Sequence, residues 1–410
     1  MTTSRERVMQ TVNHREPDRV PIDLGSHRSS GIMAIAYDKL KKHLGITSGD
    51  IYIYDFIQQL AVVEPAVLDR FGIDVIELGR GFSLTPEDWH DWVLPNGVPC
   101  KIPAFIHPQR VGDEWHVYHE DGTLLATQRS SCLYFEQVCY PLAQSEDHAF
   151  TNLDHAVEHS MWMSLASPPG EIALDAEGMA TLSAGAKALR ASTDRAVVGL
   201  FGANLLEAGQ MLFGNENFLY LLAADGERVH RFMDRLLESY LDQLDKYISA
   251  VGPYIDIISF GDDLGMQTGP QISPRMYWEF IQPREKAMWQ RVKAISSLKI
   301  MLHSCGGLYP LIPGLIDAGL DILQPVQTTA YQMEADRLKR EFGRDLCFWG
   351  GGSNTRDVLP RSTPAEVARD VRDRVATFAP GGGFVFAQIH NIMADVPPEN
   401  VVAMLDAVNS

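Results

Sequence analysis

Short apolar runs rich in β-branched residues alternate along this chain with longer stretches of helical periodicity. Strand-like runs occur at residues 19–24, 73–78, 196–202, 254–260, 299–303, 321–327, 345–350 and 384–390. Helical stretches between the later runs cover residues 216–251, 275–295, 309–318, 334–342 and 364–378. Strands that alternate with helices predict a parallel α/β fold, and this number of strands closes most simply as a single TIM (β/α)8 barrel.

The alternation is interrupted in residues 84–142. Turn-forming sequences, LPNGVP at residues 94–99 and HEDGT at residues 119–123, separate strand-like pieces there. This pattern predicts a β-rich insertion after the second strand. Because no linker-like stretch follows it, we expect residues 1–410 to form one barrel domain.

Composition and charge narrow the classes of partner and location. The chain has 410 residues and a net charge of −18, which disfavours a nucleic-acid partner because phosphate binding needs a basic surface. It contains no apolar run long enough to span a membrane, and its first residues lack the apolar core of a signal peptide. The five cysteines include no CxxC pair. We therefore expect a cytoplasmic protein with reduced thiols.

Two segments carry metal-ligand chemistry at predicted strand ends. They are LHSCGG at residues 302–307, with His303 and Cys305, and FAQIHN at residues 386–391, with His390. Residues two apart on a strand point to the same face, so His303 and Cys305 should lie side by side. With His390 they would bind Zn²⁺ and leave one position open, as catalytic zinc sites do. The alternative is a buried cysteine beside a hydrogen-bonded histidine.

Other polar residues at predicted strand ends are further site candidates. Asp262 and Asp263 follow the fourth strand and can contact the metal, a substrate amine or an ordered water, although such acids also cap helices. Gln324 and Gln327 flank Pro325 at the end of the sixth strand and can bind a polar substrate group. Their alternative role is to hydrogen bond the backbone at the rim of the barrel.

The order of several motifs resembles the uroporphyrinogen decarboxylase (URO-D) superfamily over essentially the whole chain, and in particular its methyltransferase-like branch. The motifs are HREPDRVPI at residues 14–22, GDDLG at 261–265, GGGSNT at 350–355, GGGF at 381–384 and PPEN at 397–400. The resemblance implies a TIM barrel enzyme. Two chemistries occur on this barrel, and the residues distinguish them.

The decarboxylase chemistry of porphyrin biosynthesis fits the chain poorly. The family's arginine-rich substrate segment is represented here by a single arginine, Arg28. By the same resemblance Gly81 occupies the position of the family's aspartate and Gln210 that of its tyrosine, while His390 matches the family's histidine. Glycine cannot stabilise a developing positive charge on a pyrrole, which needs a fixed negative group. The expectation is that this chain does not decarboxylate uroporphyrinogen, with Arg28 and Gln210 instead binding another small substrate.

The other branch resembles zinc-dependent methyltransferases that move a methyl group between a corrinoid protein and a small acceptor or donor. Their His-x-Cys pair matches His303 and Cys305, and His390 stands where their third ligand, usually a cysteine, is found. The chain has no Asp-x-His-x-x-Gly cobalamin motif, so a separate protein would supply the corrinoid. Asp262, Asp263 and His390 are the candidate catalytic residues. The remaining alternative is a barrel that binds a small ligand without turnover.

Overall fold

A parallel sheet of seven strands forms the centre of the molecule. We describe a computed structural model of the chain, which covers residues 2–410. The strands are β1 Ile53–Asp55, β2 Leu60–Ala61, β3 Val75–Glu77, β4 Trp89–Val93, β5 Pro99–Pro103, β6 Gln109–Val111, β7 Glu114–Tyr118, β8 Leu124–Arg129, β9 Glu136–Gln137, β10 Ala196–Gly202, β11 Ile257–Gly261, β12 Gly265–Met266, β13 Gly269–Pro270, β14 Lys299–His303, β15 Ile322–Gln324, β16 Cys347–Trp349 and β17 Phe384–Val385. The parallel sheet has the order β17-β16-β15-β14-β11-β10-β3.

Helices follow most strands of this sheet, as a TIM-like barrel requires. They are α1 Ser4–Val12, α2 Ala34–His43, α3 Pro65–Arg70, α4 Leu153–Glu158, α5 Met161–Ser164, α6 Ala176–Ser192, α7 Leu206–Phe213, α8 Asn215–Ala224, α9 Gly226–Val251, α10 Pro274–Met276, α11 Gln282–Ile295, α12 Ile312–Ala318, α13 Ala335–Phe342, α14 Pro364–Phe378 and α15 Pro398–Asp406. A short π-helical turn, Tyr277–Ile281, joins α10 to α11. No helix within residues 2–410 has the length and apolarity needed to cross a bilayer.

The predicted first strand, residues 19–24, is wrong as a strand. Only Ile22 bridges Phe386, in parallel orientation. Pro21 has no N–H to donate, and the N–H of Ile22 donates to the Asp74 side chain instead of a backbone carbonyl. The carbonyl of Ile22 accepts the Asp74 N–H at 2.8 Å. The segment therefore contacts both edges of the curled sheet without a regular ladder.

Buried side chains that point inward from the strands fill the space inside the curled sheet. Val75, Val198, Ile257, Met301 and other inward residues form a buried cluster with Val8 of α1. Helix α1 packs against β3, β10 and β17. Polar residues such as His303 and Gln324 lie at the carboxyl ends of the strands.

Several predicted elements differ from the structure in their bounds. The predicted strands at residues 73–78, 254–260, 321–327 and 345–350 are Val75–Glu77, Ile257–Gly261, Ile322–Gln324 and Cys347–Trp349. The helical stretch 216–251 is two helices, because Asp225 leaves the helical conformation and its side chain accepts the Arg228 N–H at the start of α9. The eighth predicted strand, 384–390, ends at Val385, so His390 lies in a loop. Residues 84–142 contain two antiparallel sheets, β4-β5 and β6-β7-β8-β9, between β3 and β10 of the parallel sheet.

Candidate metal centre

His303 is the last residue of β14, and the neighbouring strand orients its ring. Its Nδ1 lies 2.8 Å from Oε1 of Gln324. The amide nitrogen of Gln324 donates to the hydroxyl of Ser29, which leaves the amide oxygen for His303. Because that oxygen can only accept, Nδ1 of His303 carries the ring proton. Nε2 is then free to bind a metal, as in most metal-binding histidines.

Cys305 lies two residues beyond β14 in a tight turn, with its Sγ 3.7 Å from Nε2 of His303. Its backbone N–H donates to Oδ1 of Asp263 at 2.7 Å. Gly306 follows with φ +92°, and a Cβ on it would lie 2.3 Å from the carbonyl carbon of Gly265. Only glycine allows the two loops to approach this closely. The position of Cys305 therefore depends on loop packing, and the predicted strand alternation does not extend to it.

His390 reaches the same place from the loop after β17. Its Nδ1 lies 2.9 Å from Oδ1 of Asn391. Asn391 donates from Nδ2 to Oε1 of Gln58 at 2.9 Å, and its Oδ1 accepts from the hydroxyl of Tyr134 at 3.2 Å. These contacts orient the amide oxygen towards His390. The Nε2 atom of His390 is therefore also the atom with a free lone pair.

These three side chains form a donor set that suits zinc. One donor atom from each of His303, Cys305 and His390 lies within 4.8 Å of the others. Tetrahedral zinc with its usual bond lengths separates a nitrogen and a sulfur ligand by about 3.5 Å. The distance from Sγ of Cys305 to Nε2 of His303 is 3.7 Å. Small side-chain movements would complete the site, and metal binding itself stays a prediction.

The pKa values of two of the three donor groups are shifted by their surroundings. Burial lowers the pKa of His390, and His303 acts in the same direction, so the imidazole remains neutral and able to bind a metal. Burial raises the pKa of the Cys305 thiol, and the nearby carboxylates of Asp263 and Glu207 raise it further. A thiolate at this position therefore needs a positive charge beside it, which a metal ion supplies on displacing the proton.

Asp263 is the acidic residue that contacts the donor set. Its Oδ1 lies 3.5 Å from Nε2 of His303. Its backbone N–H donates to Oε2 of Glu207 at 2.9 Å. Burial raises the pKa of Glu207 to about 8, and the charges of Asp263 and Asp262 add to this. Two carboxyl groups, one of them with a strongly raised pKa, thus adjoin the donor set.

Asp262 has a different position from its neighbour in sequence. Its carboxylate accepts the N–H groups of Leu205, Leu206 and Glu207 at 3.2, 2.9 and 2.8 Å. Burial raises the pKa of Asp262 to about 7, although these backbone hydrogen bonds oppose the shift. The structure therefore places Asp262 at the start of α7, where it holds the helix that carries Glu207.

The candidate glutamines hold loops around the donor set. Gln327 accepts the Gly306 N–H through Oε1 at 2.9 Å. Gln210 donates to Oε1 of Gln271 at 2.9 Å, and Gln271 donates to the backbone carbonyl of Asp263 at 2.5 Å. These contacts support the site at one remove. Substrate binding by Gln210, Gln324 and Gln327 stays a prediction.

Arg28 follows His27 in the chain, and the ring of His27 stacks on that of His303. The ring of His27 lies 4.6 Å from that of His303, with 22° between the planes. Arg28 forms an ion pair with Asp55 at 2.8 Å and lies over the ring of Trp162 at 5.3 Å. The guanidinium of Arg28 therefore already has partners within the protein, Asp55 and Trp162.

Sequence reasoning missed His27, Glu207 and Asn391. His27 and Asn391 adjoin Arg28 and His390 in the chain, and Glu207 precedes Gln210 by about one helical turn. The sequence signal for these three residues is therefore that each lies close in the chain to a predicted site residue. Nothing in the sequence marks Gln58 or Tyr134, which contact Asn391 only after folding.

The family model and the curated proteins that match this chain carry the same description. The family model described as uroporphyrinogen decarboxylase (URO-D) matches residues 166–410. Uroporphyrinogen decarboxylase of Psychromonas ingrahamii is 25% identical over 185 residues, which are 44% of this chain and 48% of that protein. The corresponding protein of Actinobacillus succinogenes is 24% identical over 222 residues, 52% of this chain and 58% of its own. The chain thus spans about half the length of the curated relatives it matches.

The fold has a counterpart among solved structures. A methyltransferase from Methanosarcina mazei aligns with 100% of this chain and 98% of its own, with a TM-score of 0.57 and 14% sequence identity. At this identity the likeness concerns the architecture alone.

Proposed function

The chain belongs to the uroporphyrinogen decarboxylase family, and from that premise we propose that it is a zinc-dependent methyltransferase. The methyl group would move between a corrinoid protein and a small-molecule acceptor or donor. The observation that carries the proposal is the convergence of His303, Cys305 and His390, whose donor atoms lie within 4.8 Å of one another. Within this proposal residues 1–410 form one TIM barrel domain, in which residues 84–142 are an insertion.

The ligand set supports a catalytic role over a purely structural one. Structural zinc sites use four protein ligands, whereas catalytic sites use three and keep a position for substrate. Zinc held by His303, Cys305 and His390 would lower the pKa of a thiol or hydroxyl on the substrate. The chain itself orients the ligands through Gln324 and Asn391.

Asp263 is the residue placed to handle a proton. Its carboxylate lies 3.5 Å from Nε2 of His303, next to the place where a substrate would meet the donor set. Glu207 holds the backbone N–H of Asp263 and keeps the carboxylate in position. In the proposed reaction Asp263 accepts the proton that the substrate loses on binding.

The corrinoid, in this proposal, arrives on a separate protein. The parallel strands all end on the same side of the sheet, and the donor set lies on that side. A partner that carries methylcobalamin would dock there, where the methyl group can reach a substrate bound beside Asp263. The M. mazei structural neighbour bears the name methyltransferase on the same architecture, which makes this chemistry compatible with the fold.

Decarboxylation of a porphyrinogen is the second candidate, because the curated relatives carry that name. One structural observation favours it. The strand β3 ends at an acidic residue, Glu77, near the position of the family's aspartate. Burial raises the pKa of Glu77 to about 7, which disfavours the negative form that this chemistry needs, although Arg80 and Arg28 oppose the shift. Glu77 precedes Gly81 in the chain, so it does not occupy the position of the family's aspartate. Gly81 itself packs against Gly185 of α6. The decarboxylase reading gives no role to the paired His303 and Cys305, so we rank it second.

A direct assay separates the candidates. Zinc-loaded protein is incubated with methylcob(III)alamin and a panel of thiols, folate and methylated amines or ethers, and demethylation is followed by visible absorbance. We expect turnover with one of these compounds, abolished in His303→Ala and retained in His43→Ala, a surface control near Glu399. Formation of coproporphyrinogen from uroporphyrinogen would instead support the second candidate. A folded, zinc-bound protein inactive in every arm contradicts both and favours the non-catalytic receptor.

A further inference from the structure

A second group of side chains that can bind a metal lies where the β-rich segment meets the helical segment that follows it, and it is separate from the group of His303, Cys305 and His390. His119 and Asp121 belong to the turn between β7 and β8, and His159 follows α4. One donor atom from each of the three lies within 4.8 Å of the others. The fold thus brings a turn and a helix end together, 38 residues apart between Asp121 and His159.

Asp121 places one carboxylate oxygen against each histidine. Its Oδ1 lies 3.1 Å from Nδ1 of His119, and its Oδ2 lies 2.9 Å from Nε2 of His159. The rings of the two histidines are 4.0 Å apart between centroids. The side chain of His159 is 9% exposed and that of Asp121 is 49% exposed, so the group can be reached from solvent.

The backbone defines which nitrogen of His159 has a free lone pair. Its Nδ1 lies 2.8 Å from the carbonyl oxygen of His155, which can only accept, so Nδ1 carries a proton. Nε2 faces a carboxylate oxygen of Asp121 2.9 Å away. A contact of this length needs a positive charge between the two atoms, and either a second ring proton or a metal ion at Nε2 supplies it. A ring N–H bonded to a backbone carbonyl is also the usual support of a metal-bound histidine.

His119 also faces Asp121, although the lone pair of its Nδ1 already accepts a long hydrogen bond. The backbone N–H of Asp121 points to Nδ1 of His119 at 3.4 Å, so this nitrogen acts as an acceptor. The same Nδ1 faces Oδ1 of Asp121 at 3.1 Å. A cation shared by His119, Asp121 and His159 would replace this long hydrogen bond at Nδ1 of His119.

The surroundings leave room to complete a coordination shell. A half-open cavity of about 330 Å³ lies beside the group and is lined in part by Asp121, His159, His155 and Cys139. Water or a small ligand in this cavity can occupy the positions that three protein ligands leave open.

We propose that His119, Asp121 and His159 form a second divalent-metal site, which ties the β7–β8 turn to the end of α4. Two imidazoles and one carboxylate select Zn²⁺ or a similar ion such as Co²⁺ or Ni²⁺ over Ca²⁺ and Mg²⁺, which prefer all-oxygen sites. The site is independent of the proposed methyl transfer. Its effect is to hold the β-rich segment to the helical segment that follows it.

Zinc binding in a His303→Ala/Cys305→Ala background tests the proposal, because that background removes the first centre. We expect about one Zn²⁺ per chain by chelator competition. Adding His159→Ala should weaken binding at least about tenfold. The matched control is His155→Ala, which removes a neighbouring ring from the same cavity but keeps the backbone carbonyl that binds His159. This control should bind zinc as its parent does.

A second variant guards against misfolding. Asp121→Asn keeps the shape of the side chain and loses its charge, so it should fold yet bind zinc at least about tenfold more weakly. Zinc should raise the thermal unfolding midpoint of the parent and of His155→Ala, and should leave that of His159→Ala unchanged. A folded parent that binds no Zn²⁺, or binding that neither His159→Ala nor Asp121→Asn weakens, would overturn the proposal and leave a proton as the bridging cation.

Discussion

His303 and Gln324 occupy paired positions on the adjacent parallel strands β14 and β15. The distance between Nδ1 of His303 and Oε1 of Gln324 is 2.8 Å. Register in the sheet therefore decides the tautomer of the histidine, and with it the nitrogen that faces Cys305. Gln324, expected to bind substrate, is in this structure the hydrogen-bond partner that orients His303.

Replacing Gln324 should weaken zinc binding without unfolding the protein. Gln324→Met keeps the volume but removes the acceptor for the His303 N–H, and losses of about 10–100-fold in metal affinity are usual for such partners. Chelator competition in a His159→Ala background isolates the first centre. Gln324→Glu restores an acceptor and should recover most of the affinity. Equal binding by Gln324→Met and the parent would contradict this role.

The two neighbouring aspartates should give opposite phenotypes. Asp262→Ala leaves three N–H groups at the start of α7 without their acceptor, which should lower the free energy of unfolding by about 1–3 kcal/mol. Urea denaturation measures this loss.

Asp263→Asn, by contrast, keeps an oxygen for the Cys305 N–H and should change stability little. It should instead reduce methyl transfer, because the amide cannot accept the proton of the substrate. If Asp262→Ala costs no stability, or Asp263→Asn retains full activity, the separate roles are wrong.

The turn at Cys305 predicts an unequal cost for two glycine substitutions. Gly306→Ala and Gly45→Ala both place alanine at a positive φ, +92° and +72°, which costs about 1–2 kcal/mol. Gly45 has nothing near its would-be Cβ, whereas that of Gly306 would collide with the backbone of Gly265. Gly306→Ala should therefore lose more stability and also zinc affinity. Equal losses of stability, measured by denaturation, would show that the turn is not tightly packed.

A buried carboxyl group outside the donor set predicts how stability varies with pH. Burial raises the pKa of Glu285 to about 8, compared with about 4.3 in an unfolded chain. Between these values the folded state binds the extra proton, so the stability due to Glu285 falls as pH rises from about 4 to about 8.

Glu285→Gln should remove this dependence, which is at most about 1.4 kcal/mol per pH unit. Tyr277 donates to Glu285 at 2.7 Å, and the amide oxygen can still accept that bond. Urea denaturation at several pH values measures the slope. An unchanged slope in Glu285→Gln would assign the dependence to other groups.

The sequence predicted the strand that carries His303 with its observed bounds, Lys299–His303, because a short apolar run ends there in polar residues. It could not predict that residues 19–24 fail as a strand, since the Asp74 side chain takes the N–H of Ile22 only after folding. Nor could it place His390, which reaches the centre from a loop.

The separation of Asp262 from Asp263 shows the same limit at the site. Both are acidic and adjacent, and only the packing of α7 decides which one caps the helix. Residue types in two apolar segments therefore indicated which three residues come together, although only His303 ends a strand. The contacts that orient them come from segments distant in sequence, such as Gln58 with Asn391.

The zinc content of Cys305→Ala, compared with that of Cys347→Ala, tests the central claim most directly. Cys347 is fully buried inside the sheet and serves as the matched cysteine control. In a His159→Ala background, which silences the second group, the parent and Cys347→Ala should each contain about one zinc per chain by elemental analysis. Cys305→Ala should contain essentially none. Equal zinc in Cys305→Ala and Cys347→Ala would contradict a metal centre built from His303, Cys305 and His390.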